Sequence, residues 1–453
     1  MIKTVQTAKR WKKRWKEIKI SQLSTKFRNN DVFVEIFPNQ KYQQIIGFGG
    51  AFTEAACATI MGALPSKVVE MMHAYFSESG LNYNLGRVPI HSCDFSLNPY
   101  TYVREGDMDL SSFDISRETK YFIPVIQMAS AVRGEFIQLL ASPWSPPAYM
   151  KTNNSMVGGG SLKEEYKDLW AKYIVKYLLA MREYNVHFSY LSIQNEPEAT
   201  QKWESCLYTA NEEGDFSANH LYPALVSSHL EKIRILAWDH NRDRIVKRAQ
   251  ETFADKRARD IIWGLAYHWY VSDEHHNLST VHSLYPEKHL LFTEGCVELT
   301  NGNIQSGNIG SWRHGELYGR NMINDFNNFT EGWIDWNLVV NEIGGPNHAK
   351  NYCEAPVMYH RQTNNVIYNP SYYYIGHFSK FIKPQAHRLS SIIHGSKKVF
   401  AVAFKNPNEE FVIVIQNEGH SINATIKKSG CGTELFLPSH SITTVIINNQ
   451  RRG

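Results

Sequence analysis

Two glutamates stand where short, apolar, strand-like segments end. Glu196 closes the segment running from Ser189 through Gln194-Asn195-Glu196-Pro197, and Glu294 closes His289-Leu-Leu-Phe-Thr-Glu294. A pair of carboxylates set at strand ends has a specific use in acetal hydrolysis. One acid protonates the departing oxygen, and the other carboxylate acts as base or nucleophile on the opposite face of the ring. A lone glutamate after a strand is ordinarily a salt-bridge partner, so the signal lies in the pair and its spacing. About three βα units of roughly 30 residues separate the two, which lets both side chains face the same mouth of a barrel.

The elements that must position them are legible in the apolar pattern. Eight short segments rich in β-branched or aromatic residues read as strands: Gln43–Phe52, Leu81–His91, Phe136–Trp144, Phe188–Glu196, Arg234–Asp239, Ile261–Tyr270, His289–Glu294 and Gly332–Asn337. Helical periodicity marks Pro65–Ser79, Glu118–Arg133, Glu164–Tyr184, Asp243–Thr252 and Arg313–Asn327 between them. Eight alternating units describe an α/β (β/α)8 TIM barrel, whose functional groups sit at the carboxyl ends of the strands. Beyond about Arg388 the pattern changes to short strands (Val399–Phe404, Phe411–Gln416, Ala424–Lys428, Gly432–Leu437, Ser441–Ile447) separated by turn residues, an appended antiparallel β-sandwich. Val32–Phe37 is expected to pair into it. The expected division is residues 1–42 as an amino-terminal segment lending strand to the sandwich, 43–387 as the catalytic barrel and 388–453 as the sandwich.

The composition bounds the function. With 43% hydrophobic and 20% charged residues, the 453-residue chain has a large core available. A net charge of +4 over that length gives no basic domain or stripe for nucleic acid. The 11 Trp and 24 Tyr suit the stacking of sugar rings and equally suit a large core. Lys9–Ile20 is locally basic, with Trp11 and Trp15 at i,i+4 spacing, a pattern that fits peripheral contact with an anionic membrane or a solvated lead into the first strand; the second is the expectation. No apolar run resembles a secretory leader or a membrane span, and the six cysteines show no metal or disulfide spacing, so free thiols and a cytoplasmic location are expected. No metal or cofactor is expected. His268 lacks a second His at i+4 and reads as pocket lining, and the glycines of Gly47–Gly50 and Gly158–Gly160 read as turns, not phosphate cradles. Cys93 and Cys296 flank the expected site as small packing residues. Arg87 is placed either to orient a neighbouring carboxylate or to form a buried structural ion pair.

The sequence resembles glycoside hydrolase family 30, and within it the glucosylceramidase branch. The likeness is carried by GFGGAFTEAA from Gly47, LNYNLGRVPIHSCDFS from Leu81, LLASPWSPPAYMKTN from Leu139, QNEP from Gln194, HWY from His268, TEGC from Thr293, DWNLVVNEIGGPN from Asp335 and GHFSKFI from Gly376. It implies a retaining β-glycosidase with Glu196 as acid/base and Glu294 as nucleophile, roles that position alone leaves open. It further implies a sugar pocket lined by Asp94, Trp144, Asn195 and Trp336, with Tyr270 beside the nucleophile, Asn351 near the rim, and Arg87 and His268 in support. The implied partner is a β-glucoside or glycolipid. β-Xylosidase, β-fucosidase and β-1,6-glucanase activities occur in the same family, although the block from Asp335 resembles the glucosylceramidases. Two departures from their pattern are Glu54 in place of Asp and Gly295 in place of Ala. A carbohydrate-binding barrel without turnover would lack one carboxylate, and both are present; a membrane-tethered scaffold would act through the basic segment.

Overall fold

The computed structural model describes residues 2–299 and 309–448. Its centre is a closed barrel of eight parallel strands: Gly47–Ala51, Leu85–Ile90, Gln138–Pro143, Phe188–Ser192, Arg234–Asn241, Ile262–His268, His289–Glu294 and Gly332–Asn337, each hydrogen-bonded to the next and the last to the first. The interior is filled by Leu85, Leu140, Tyr190, Leu236, Ala266, Leu291 and Ile334, all buried. The barrel is therefore a packed core, and only its carboxyl-terminal mouth is free to build a site.

The expected strand at Gln43–Phe52 divides in two. Gln43 and Gln44 end a 13-residue strand, Val32–Gln44, that belongs to the sandwich, and the barrel strand begins at Gly47. Gly47 makes the corner at φ 151°, where a Cβ would meet the Asn84 side chain at 1.9 Å; that same Asn84 Oδ1 accepts the Phe48 N–H at 3.0 Å. The helix expected over Glu118–Arg133 is also two, Ser116–Lys120 and Phe122–Arg133, meeting at Tyr121. Pro124 explains the break, because it has no N–H to continue the hydrogen-bond ladder from one helix into the other.

The second layer is a nine-stranded sheet in the spatial order Lys16–Ile18, Ile2–Ala8, Ser441–Ile447, Phe411–Asn417, Val399–Lys405, His387–His394, Val32–Gln44, Ile422–Lys428 and Cys431–Leu437. Register shifts where His387–His394 meets Val32–Gln44 bend it. Alternate residues close one core (Val34, Ile36, Leu389, Ile413, Ile426, Val445). The opposite face, with Val402, Phe404, Val412, Val414 and Ile442, joins the barrel's own core.

The basic segment is not an amphipathic helix, and Trp11 and Trp15 share no helical face. Lys16–Ile18 is a strand paired with Ile2–Ala8, and Trp15, at φ 47°, turns inward. Its ring packs 5.3 Å from Tyr372 and 5.4 Å from Tyr373, and its Nε1 donates to the Tyr373 carbonyl at 2.9 Å. The Arg14 guanidinium lies 4.7 Å from the Trp312 ring. These contacts with residues far along the chain outweigh whatever the local i,i+4 spacing offers. Among the described residues no helix is long and apolar enough to cross a membrane.

Candidate active site

Every site residue expected from the sequence sits at the carboxyl-terminal mouth of the barrel. Asp94, Trp144, Asn195, Glu196, Tyr270, Glu294, Trp336 and Asn351 line one cavity of about 190 Å³, and Arg87 and His268 lie directly beneath them. A larger cavity of about 530 Å³ opens at the opposite mouth, between Tyr190, Arg234 and Trp263, and among the described residues Glu331 is its only carboxylate. The chemistry therefore belongs to the smaller one.

Glu294 ends its strand as expected. Glu196 does not, because the fourth strand stops at Ser192 and four further residues carry the chain inward. Its backbone takes the left-handed conformation (φ 47°), uncommon for a residue with a Cβ. The Asn195 N–H bonds the Pro143 carbonyl at 2.8 Å and the Glu196 N–H bonds that of Asp239 at 3.0 Å, so the neighbouring strands hold the turn. One oxygen of each glutamate and one ring nitrogen of His268 come within 4.8 Å of one another.

Beneath the pair lies a network whose centre the sequence reading missed. Asp239, two residues before the end of the fifth strand and fully buried, accepts from Arg87 Nη2 (2.7 Å), Ser192 Oγ (2.6 Å), Thr293 Oγ1 (2.6 Å) and His268 Nε2 (3.1 Å). Arg87 in turn donates through Nη1 to Glu294 Oε2 (2.5 Å) and through Nη2 to Asn195 Oδ1 (2.8 Å). His268 donates through Nδ1 to Glu196 Oε1 (3.1 Å), and the Tyr270 hydroxyl donates to Glu294 Oε1 (2.8 Å). Of the two readings of Arg87, orienting group and ion-pair partner, the structure realises both. The strand-end rule that picked out the two glutamates would also have picked out Asp239, the last residue of the segment expected at Arg234–Asp239.

The charges follow from these contacts. Burial disfavours an ionised Asp239, yet Arg87 and His268 hold its carboxyl far below the usual range. Burial likewise disfavours a charged His268, but Glu294, Asp239 and Glu196 together raise its pKa to about 9. Both its nitrogens then carry protons and face carboxylates, so the ring has no lone pair for a cation, although Glu196, His268 and Glu294 stand close enough to surround one. Burial raises Glu294, with Glu196 adding to it and His268 and Arg87 opposing. For Glu196 burial is opposed by the hydrogen bond from His268 and by the charges of His268 and Arg87, and its carboxyl lies below the usual range. Asp94 is raised well above an ordinary Asp by burial and by Glu294.

The raised His268 has a testable sign. A group whose pKa rises on folding lends stability fully below its unfolded value, near 6.5, and loses it as pH climbs through about 9. The difference in urea stability between the wild type and His268→Gln is expected to be largest at pH 6, up to about 3 kcal/mol, and to shrink toward pH 10. A difference that stays constant with pH would mean the ring is not charged.

Aromatic walls flank this floor. Trp144 and Trp336 stack 5.4 Å apart, and the Arg87 guanidinium lies 4.7 and 5.5 Å from their rings. Asn351 Nδ2 donates to Asp94 Oδ2 at 3.3 Å. The lining also includes Gln201, Trp203, His240 and Asn241, none of them anticipated. Gly295 is explained by space, since a Cβ there would meet Phe292 at 2.6 Å and Trp269 at 2.8 Å. Glu54 is buried, ion-paired with Arg117 and accepting the Leu97 N–H at 2.8 Å, which places it in the supporting structure. The six cysteines are unpaired, with Cys296 in the pocket wall 3.5 Å from the Tyr270 hydroxyl.

This arrangement can protonate a leaving oxygen and attack the carbon that bears it, held between the two glutamates. Comparison with known proteins points the same way. Residues 45–382 match the model of the glycosyl hydrolase family 30 TIM-barrel domain, and residues 385–445 that of the glycosyl hydrolase family 30 beta sandwich domain. The lysosomal acid glucosylceramidase of Mus musculus is 33% identical over 449 residues, covering 96% of this chain and 87% of that protein. An endo-1,6-beta-D-glucanase of Aspergillus fumigatus is 28% identical, over 89% of this chain and 85% of that one. Among solved structures, SrfJ from Salmonella typhimurium superposes with a TM-score of 0.93 at 36% identity, over 99% of this chain and 100% of that chain.

Proposed function

The chain belongs to glycosyl hydrolase family 30 and is a glycoside hydrolase, and from that premise we propose that it removes terminal β-glucosyl residues with retention of configuration. Glu294 is the nucleophile, Glu196 the general acid/base, and glucosylceramide or a related β-glucoside the substrate. The observation that carries this reading is the closeness of the two carboxylates, which bring an oxygen each within 4.8 Å. Retaining sites set the pair about 5 to 5.5 Å apart, whereas inverting sites leave about 6.5 to 9.5 Å for a water between them.

In the first step Glu294 attacks the anomeric carbon while the glycosidic oxygen takes a proton from Glu196. In the second, Glu196 removes a proton from water, which displaces Glu294 from the same carbon. Arg87 and Tyr270 each bond one oxygen of Glu294 and fix its direction. Asn195 spends its Oδ1 on Arg87, which leaves Nδ2 to donate to the sugar 2-hydroxyl. A cavity of about 190 Å³, walled by Asp94, Asn351 and two Trp rings, suits one sugar ring and favours a terminal residue over an internal one.

Because the two glutamates share one environment, they titrate as a pair, and kcat/KM against pH is expected to be a bell whose limbs belong to the pair. The productive form has Glu196 protonated and Glu294 ionised. Activity falls at high pH as the proton on Glu196 is lost, and at low pH as Glu294 gains one.

The test is the first-formed product. Proton NMR during hydrolysis of an aryl β-glucoside should show the β-anomer before mutarotation; the α-anomer would overturn the retaining reading. On substrate, kcat/KM for the nitrophenyl β-glucoside should exceed that for the β-xyloside by at least about ten-fold, since a site built to bond a hydroxyl rejects the analogue that lacks it. A xyloside turned over as well or better would remove the glucosyl assignment and leave the mechanism standing.

A further inference from the structure

His240 has no part in the chemistry just described, yet it faces the same cavity. It lies on the fifth strand with its ring stacked on Trp238 at 5.0 Å, and its Nδ1 is 3.9 Å from Glu196 Oε1. That Nδ1 accepts the Asn241 backbone N–H at 2.8 Å and faces Asn241 Nδ2 at 3.1 Å. With Nδ1 occupied as an acceptor and burial favouring the uncharged ring, the proton resides on Nε2. Among the described residues Nε2 has no hydrogen-bond partner, and it is not one of the buried polar atoms shut away without one. A fixed, unpartnered N–H thus opens into the cavity.

Its position around the barrel says what it would meet. Asp94, Trp144, Trp336 and Asn351 come from the second, third and eighth strands or the loops after them, and they form the sugar side. Glu196 and its loop, bearing Gln201 and Trp203, follow the fourth strand, and His240 is the penultimate residue of the fifth. Glu196 protonates the glycosidic oxygen, so the sector beyond it belongs to the leaving group.

We infer that His240 is a specificity-determining residue of the leaving-group site, donating from Nε2 to an oxygen acceptor carried a few bonds beyond the glycosidic oxygen. The aglycones this favours are polyhydroxylated or amide-bearing alcohols, in preference to plain alkyl alcohols. The inference rests on the retaining reading, because the same site must then receive the acceptor in the second step.

Partitioning of the glycosyl-enzyme isolates that site. Dinitrophenyl β-glucoside is turned over in the presence of 1-butanol, 2-methoxyethanol, ethylene glycol or N-acetylethanolamine, and each transfer product is measured relative to hydrolysis. The wild type should favour the oxygen-bearing acceptors over butanol. His240→Phe keeps a ring to stack on Trp238 without the donor, and should reduce that preference by on the order of three- to ten-fold; His240→Gln, which restores an N–H, should recover part of it. Comparing the ethylene glycol and amide arms tells which acceptor the donor serves. An unchanged preference in His240→Phe overturns the inference. Absence of any β-configured transfer product from the wild type, with inverted sugar released, overturns the retaining reading instead.

Discussion

Glu294→Gln is expected to lose turnover of every β-glucoside, with kcat reduced on the order of 10⁵-fold, as when the attacking atom of a covalent mechanism is removed. The amide preserves volume and keeps one oxygen for the Arg87 or Tyr270 contact, so the loss reports chemistry more than collapse. No leaving group should rescue it, since bond formation to the carboxylate precedes everything else. Wild-type enzyme treated with a 2-fluoro dinitrophenyl glucoside should gain one fluoroglucosyl group, which peptide mass spectrometry should place on the segment containing Glu294. Labelling on Glu196 or Asp94 would reassign the nucleophile.

Glu196→Ala is expected to fail selectively. A dinitrophenolate departs without a proton, so glycosylation by the dinitrophenyl glucoside should slow by no more than about ten-fold, while an alkyl glucoside, which needs the acid, should slow by on the order of 10³-fold or more. The second step then limits turnover, because no base activates water. Azide needs no such base, and in the space vacated by the side chain it should restore turnover and give the β-glucosyl azide. Equal losses for both substrates, or an α-azide, would remove Glu196 from the acid/base role.

What the sequence revealed, and what it hid, divides along physical lines. The barrel strands were legible because each is a short apolar run with a polar end; those at His289–Glu294 and Gly332–Asn337 lie where the pattern sets them. Ile2–Ala8 was not, because Thr4, Gln6 and Thr7 are as buried as Val5 and Ala8, so no alternation marks it. Two of its polar side chains are satisfied by distant groups, Gln6 by the Phe436 carbonyl and Thr7 by His377. The glutamate pair was visible at strand ends, whereas Asp239 accepts from five side chains drawn from five other strands. Only the closure of the barrel makes it a centre. The inward turn of Trp15 was equally hidden, since its partners Tyr372 and Tyr373 lie on a helix far along the chain.

The pairing of Ile2–Ala8 with Ser441–Ile447, and of Val32–Gln44 with His387–His394, means that the sheet is threaded from both sides of the barrel sequence. No single cut of the polypeptide separates the two layers. Cleavage between residues 384 and 385 would leave three of the nine sheet strands, Ile2–Ala8, Lys16–Ile18 and Val32–Gln44, on the barrel fragment and uncover the apolar face that Val402, Phe404, Val412 and Val414 share with the barrel core. The sheet is thus a buckle around the hydrolase, closed only when strands from both sides of the barrel sequence meet.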